Sequence, residues 1–334
     1  MDGHTSRYDI ASWVLTALAL LAVLRLGLLA ALLSGLLVYQ LIHVFADRLV
    51  RVGVRHGAGR VAAVILVSVL IVTLLTLGTL RVSDLLTGEN LANLLQKMAE
   101  AIEQASTHYP PWAREYLPAT ADELEAQASG WLREHASELR TAGEVFARTL
   151  GHIVIGMIIG GLAALSEAHE QSNLRPLSQA LRDRAVYLGQ AFSRVVFAQL
   201  RISALNTTLT AIYILLVLPS FGIELPFMKT MIAVTFFAGL LPILGNLISN
   251  TVIVVVSLSD SLYAALGSLA FLIFIHKLEY FVNARIIGGQ IFARAWEILL
   301  AMIVMESLFG IPGVIAAPIY YAYLKRELAV RQLI

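Results

Sequence analysis

The stretch WEILLAMIVMESLFGIPGVIAAPIYYAYL, residues 296–324, decides the fold class. Two apolar arms, 296–309 and 314–324, flank Gly310-Ile311-Pro312-Gly313. At 1.5 Å per helical residue each arm reaches about 21 Å or less, against a hydrocarbon core of about 30 Å. A helix interrupted by glycine and proline at membrane depth leaves N–H and C=O groups that lipid cannot satisfy. Such breaks are confined to places enclosed by protein or water, and they often flank a substrate or ion site. The stretch therefore predicts a membrane transport protein with a broken helix near the end of the chain.

Composition points the same way. The chain is 58% hydrophobic and 14% charged, with a mean hydropathy of +0.77, whereas soluble domains average about 25% charged residues. Cysteine is absent, which excludes thiol nucleophiles, disulfides and Cys-based metal sites. Arg7 precedes an apolar run as in a signal peptide, but the run continues to Phe45 without a convincing cleavage site and is expected to stay as membrane helix.

Apolar segments cover residues 10–24, 26–45, 61–80, 150–166, 202–219, 226–244, 247–258 and 262–276, followed by the broken pair. The first two form one run of 36 residues, for which a hairpin near Arg25 and Gly27 is expected rather than a single helix of about 54 Å. Loop charge sets the orientation. Arg48, Arg51, Arg55 and Arg60 face a single acid, Asp47, in the first loop, and short basic loops stay cytoplasmic. Residues 81–148 reverse the balance, with six basic residues against eleven acids, which puts them outside. Alternation returns Arg175 to Arg201, then Lys277, Arg285 and Arg294, and finally Lys325, Arg326 and Arg331 to the cytoplasm. Both termini are expected there, in a multi-pass protein of a bacterial inner membrane.

The acidic segment reads as two amphipathic helices separated by Pro110, Pro111 and Pro118; Leu124, Ala128, Leu132, Leu139 and Phe146 line one face of the second. It is a cap, a gate or a spacer that packs subunits. Another amphipathic helix is expected from Leu174 into the fifth span, with Pro176 in its first turn and Ser172 or Asn173 as cap, lying at the cytoplasmic interface or packed with its charges solvated. Three divisions follow: residues 1–80 with three transmembrane helices, 81–149 outside, and 150–334 as the transport core with the amphipathic helix 174–200.

Enzyme signatures fail. His169-Glu170 starts the zinc-protease pattern, but Asn173 stands where the second histidine belongs. No phosphate-binding Gly-x-x-x-x-Gly-Lys sequence is present, so ATP coupling on this chain is unsupported, and no cofactor or metal is expected. The basic residues are spread out without an aromatic stacking platform, which argues against nucleic acid. Gly156 and Gly160 have the small-residue spacing of close helix packing, within the chain or between copies. Asn206-Thr207-Thr208 matches a glycosylation acceptor by chance, since it lies inside a span.

What remains is polar chemistry at membrane depth. Pro242 and Gly245 interrupt one apolar region as Gly310, Pro312 and Gly313 interrupt another, and paired interruptions point to a binding site. Asn246 and Asn250, four residues apart on one helical face, offer uncharged donors and acceptors. Glu306 lies about one turn before the second break, where it either faces a cavity or sits wet at the interface.

Residues 199–328 resemble the autoinducer-2 exporter family of PerM-like permeases. The resemblance rests on Leu241-Pro242-Ile243-Leu244-Gly245, on Glu279 followed by Arg285-Ile286-Ile287-Gly288, and on the run from Gly310 to Pro318. Asn246 and Ala284 stand where the family often has proline, and Glu306 where it usually has a small or apolar residue. The resemblance implies about eight helices and a homo-oligomer, with a pentamer among its forms. It also implies export of autoinducer-2 or Na⁺(Li⁺)/H⁺ antiport, according to branch.

The sequence thus predicts an all-α polytopic membrane protein of about eight transmembrane or re-entrant helices with a small extracytoplasmic helical segment. Its expected activity is export of a small polar solute by alternating access without ATP. Glu306, Glu279 and Arg285 are the candidate coupling groups and Asn246 and Asn250 the candidate ligands. Antiport and a non-transporting scaffold are the alternatives.

Overall fold

In the computed structural model, which describes residues 6–86, 126, 129–131, 133–166, 174–240, 244–287 and 294–333, the N-terminal run of 36 apolar residues is folded in two at Gly27. Helix α1 (Arg7–Arg25) ends there and α2 (Leu29–Arg51) begins. Gly27 adopts φ +69°, a left-handed conformation that a Cβ would penalise. The amide of Leu28 donates to Val23 O at 2.8 Å, so the turn closes the end of α1 with its own backbone.

The chain continues through α3 (His56–Leu86), α4 (Ala136–Ser166) and α5 (Pro176–Ile212), which is prolonged by a π-helical turn (Tyr213–Val217) and a short last turn (Leu218–Ser220). Then follow α6 (Met228–Gly239), α7 (Leu244–Leu258), α8 (Leu262–Ile287), α9 (Ala295–Phe309) and α10 (Ile311–Val330). Every regular element among the described residues is helical, as an all-α polytopic membrane protein requires. Helices 7–25, 29–51, 136–166 and 176–220 are long and apolar enough to cross a membrane. Leu162 on α4 and Phe274 on α8 are 61% and 65% exposed, an inversion of the soluble pattern that suits contact with lipid.

Two departures from the expected segments have local causes. The amphipathic stretch expected at 124–146 is not separate from the fourth span over its second half, because α4 runs unbroken from Ala136 to Ser166 with no proline inside it. Residues 226–244 and 247–258, read as two spans, form α6 of 12 and α7 of 15 residues, each shorter than the roughly 20 needed to cross. Pro110, Pro111 and Pro118, the cap residues Ser172 and Asn173, and His169-Glu170 lie outside the described residues.

The chain divides into two compact units, residues 1–75, 142–196 and 288–334 in the first, and 76–141 with 197–287 in the second. In the first unit Val38, Ile42 and Ala46 of α2 bury against Ala63 and Val67 of α3 and Ala164 of α4. Helices α2 and α4 cross so closely that a Cβ on Gly156 would meet Ala31 O and one on Gly160 would meet Gly35 O. Ser34 Oγ donates to Ile153 O at 3.0 Å across the same crossing. The glycine pair is therefore occupied within the chain and offers no surface for self-association.

The C-terminal break is a helical hairpin. Gly310 (φ +64°, ψ −146°) reverses the chain between α9 and α10, and Gly313 approaches Met305 O where a Cβ would collide. Ala316 of α10 packs with Leu24 and Leu29 of the first hairpin, flanked by Met305 and Phe309 of α9. Further along, Tyr320 Oη donates to Leu20 O at 3.2 Å and Trp13 Nε1 to Glu327 Oε2 at 3.2 Å. Falling numbers on α1 meet rising numbers on α10, so the two helices are antiparallel.

Arg184 of α5 joins this pair. Only 3% exposed, it bonds Asp9 Oδ1 at 3.2 Å and Glu327 Oε2 at 3.0 Å. Its Nε donates to Ser12 Oγ at 3.3 Å, and its guanidinium lies 5.4 Å from the Trp13 ring centroid. Arg331 bonds the same Asp9 at 2.8 Å. A buried guanidinium is tolerated only when paired on this scale, and removing it takes the cation from the buried Glu327 and one of two cations from Asp9, which keeps Arg331. Arg184→Ala is expected to cost about 3–5 kcal/mol, read as a lower melting temperature in detergent. Arg184→Met combined with Asp9→Asn and Glu327→Gln should regain most of the loss, and an unaltered melting temperature in the single variant would refute the network.

Candidate functional site

The second unit solves the problem of a broken helix by a different route. α6 stops at Gly239 with its last carbonyls unpaired within the helix, and an apolar setting offers them no water. α5 supplies the missing donors. Gln199 Nε2 reaches Gly239 O at 2.7 Å and Ser203 Oγ reaches Phe236 O at 2.6 Å. Across the break, a Cβ on Gly245 would collide with Ala238 O, so the start of α7 rests on the end of α6.

The same face of α5 stays polar beyond that cap. Gln199, Ser203, Asn206, Thr210 and Tyr213 follow one another at steps of three or four residues, the spacing of one helical face. Asn206 Nδ2 donates to Asn246 Oδ1 of α7 at 3.1 Å. Tyr213 Oη and Ser268 Oγ of α8 are 3.1 Å apart, and Ser268 Oγ lies 2.7 Å from Ser257 Oγ of α7. Phe271 stacks on Tyr213 at 3.8 Å between ring centroids. Between these two bonded groups sits Thr210, 1% exposed, whose hydroxyl has no hydrogen-bond partner among the described residues. None of these side chains carries charge.

Tyr213 opens the π-helical turn. Pro219 has no N–H with which to continue the α-helical ladder, and the wider turn lies just before it. The turn is anchored by apolar contact, since Tyr213, Ile214 and Leu218 bury with Leu225, Met231 of α6, Ile253 and Val256 of α7, and Leu272 of α8.

The residues singled out by sequence fall as follows. Asn246 is half-buried and bonded to Asn206, and Asn250 is half-buried one turn further along α7. Gly245 is buried at the contact of α6 and α7. Gly310, Pro312 and Gly313 belong to the first unit, where they make the α9–α10 turn with Pro312 in the first turn of α10. Glu306, in that unit too, is exposed on α9; its carbonyl accepts from Gly310 N at 2.7 Å, and no partner for its carboxylate occurs among the described residues. Glu279 and Arg285 lie on the helical course of α8, but their side chains, like Pro242, fall outside the described residues.

Two groups escaped the sequence reading. The polar face of α5 carries a visible signal, hydroxyls and amides recurring every three or four residues inside an apolar span. The Arg184 network carries none, because Asp9, Arg184 and Glu327 look like ordinary helix-end charges in one dimension.

Long apolar helices, helix pairs broken by glycine and proline, and an uncharged polar face buried among them define a multi-pass membrane transport protein. The family model for the AI-2E family transporter matches residues 10–330, and the chain belongs to that family. No curated protein and no solved structure matches it.

The Asn206–Asn246 bond is testable by a double-mutant cycle. Asn206→Ala and Asn246→Ala should couple by about 0.6 to 1.7 kcal/mol, the range for hydrogen bonds between membrane helices, measured by equilibrium unfolding in mixed micelles. Strict additivity of the two substitutions would show that the amides do not act as a pair.

Proposed function

We propose that the chain exports a small, uncharged polar solute such as autoinducer-2 through the second unit, by alternating access and without ATP. The observation that carries this reading is the uncharged face of α5, with the Asn206–Asn246 pair on one side of a buried Thr210 hydroxyl that has no partner among the described residues, and the Tyr213–Ser268–Ser257 chain on the other. Amides and hydroxyls recognise a neutral ligand that both donates and accepts hydrogen bonds, and they need no counter-charge. Asn246 exchanges its partner Asn206 for the solute, so little hydrogen bonding is lost as the solute enters. The short helices α6 and α7, joined at a break, are the elements that can tilt without disturbing a full span.

Cation/proton antiport is the second reading, favoured by one observation, the carboxylate of Glu306 without a partner among the described residues. Antiport needs a group that exchanges its proton for the cation, whereas a neutral solute does not. Flux of autoinducer-2 and of Na⁺ in proteoliposomes, measured in parallel, separates the two. For the exporter, solute flux exceeds that of empty liposomes, Asn246→Ala reduces it about tenfold, the equivalent of one lost hydrogen bond of roughly 1.4 kcal/mol, and Glu306→Gln leaves it intact. Abolition of pH-driven Na⁺ flux by Glu306→Gln, with no solute flux in the parent, would establish the antiporter instead. No flux of either kind would leave the scaffold reading.

The proposed setting is a bacterial inner membrane with both termini in the cytoplasm, residues 81–149 outside, 150–334 as the transport core and several copies of the chain assembled together. The charge distribution of the loops supports the orientation. Because the chain has no cysteine, single cysteines can be labelled without background. Ser129→Cys should react with an impermeant thiol reagent added outside, and Ala58→Cys and Ala329→Cys should not. The reverse pattern would invert the topology.

A further inference from the structure

The first unit carries a cleft between α5 and α10 that the transport reading does not use. It is a small cleft of about 30 Å³, with the short side chains of Ala191, Ala322 and Ala329 among its lining residues. Its cations are Arg194, Lys325 and Arg326, and no acid lines it. Lys325 is drawn to one side by Glu297, at 3.0 Å. Among the described residues Arg326 has no carboxylate partner and its buried Nε has no hydrogen-bond partner; its guanidinium lies 5.8 Å from the Tyr187 ring centroid. Arg184, a short way along α5, shows the contrast, since two carboxylates compensate it.

We propose that this cleft binds a phosphate group, carried by an anionic lipid headgroup or by a free phosphate. The guanidinium of Arg326, with no carboxylate partner among the described residues, favours an anion beside it. The planar fork of arginine matches two phosphate oxygens at once. The loop charges place both helix segments on the cytoplasmic side, where basic pockets between membrane helices bind anionic headgroups.

The test uses the full chain in an uncharged detergent. Native mass spectrometry compares retention of phosphatidylglycerol with that of phosphatidylcholine, and melting temperatures are compared in inorganic phosphate and in chloride of equal ionic strength. Preference for phosphatidylglycerol of at least about tenfold is expected, as for one or two charge-assisted hydrogen bonds. It should be lost in the Arg194→Gln/Arg326→Gln variant and also in Ala322→Leu, which fills the cleft with every charge retained, while Lys229→Gln keeps it. Stabilisation of the parent by inorganic phosphate, absent in the same variants, identifies a free phosphate as the ligand of the same site. If the double variant does not fold, Ala322→Leu decides. A parent without preference for phosphatidylglycerol and without response to phosphate overturns the proposal, as does preference that survives in Ala322→Leu.

Discussion

A peptide group in an apolar medium must find its hydrogen bond inside the protein, and the arrangement of this chain follows from how its interrupted helices meet that demand. The two breaks meet it differently. At Gly310 the turn is self-contained: Gly310 N bonds Glu306 O and Gly313 N bonds Gly310 O, so the hairpin of α9 and α10 asks nothing of other elements there. At Gly239 the carbonyls are taken by Gln199 and Ser203 of α5, which obliges α5 to present a polar face to α6. Once that face exists, its extension through Asn206, Thr210 and Tyr213 puts hydrogen-bonding groups deep among apolar helices. The proposed site in the second unit is thus continuous with the repair of a helix end.

The first unit is tied by charge and by close backbone contact. Arg184 draws α1, α5 and α10 together through Asp9 and Glu327, and burial makes the pairing obligatory, because a lone ion in that place would be costly. Gly156 and Gly160 let α4 lie directly on α2, where packing of backbones substitutes for a hydrophobic driving force that lipid does not provide. These contacts are specific in direction and partner.

An uncharged site also bears on selectivity. The bonded groups between Asn206 and Ser268 offer donors and acceptors without a fixed charge, so under the proposed reading discrimination rests on hydrogen-bond matching, and a ligand lacking one of those groups leaves a buried amide or hydroxyl unpaired. The Arg184 network and the cleft of Arg194, Lys325 and Arg326, by contrast, bring charged side chains together in the first unit.

The sequence by itself determined the class: all-helical and polytopic, a hairpin near Gly27, interruptions at Gly245 and Gly310, and a polar position at Asn246. Hydropathy, glycine and proline act over one or a few turns, so their consequences can be read locally. Tertiary structure decided the partners. Asn206 and Asn246 are 40 residues apart and Trp13 and Glu327 are 314 apart. It decided that Gly156 and Gly160 pack inside the chain, and that the second broken region is a hairpin with Glu306 on its exposed side. A side chain's neighbours across a helix crossing depend on the rotation and register of both helices. That is a property of the packed set, and no single stretch of sequence encodes it.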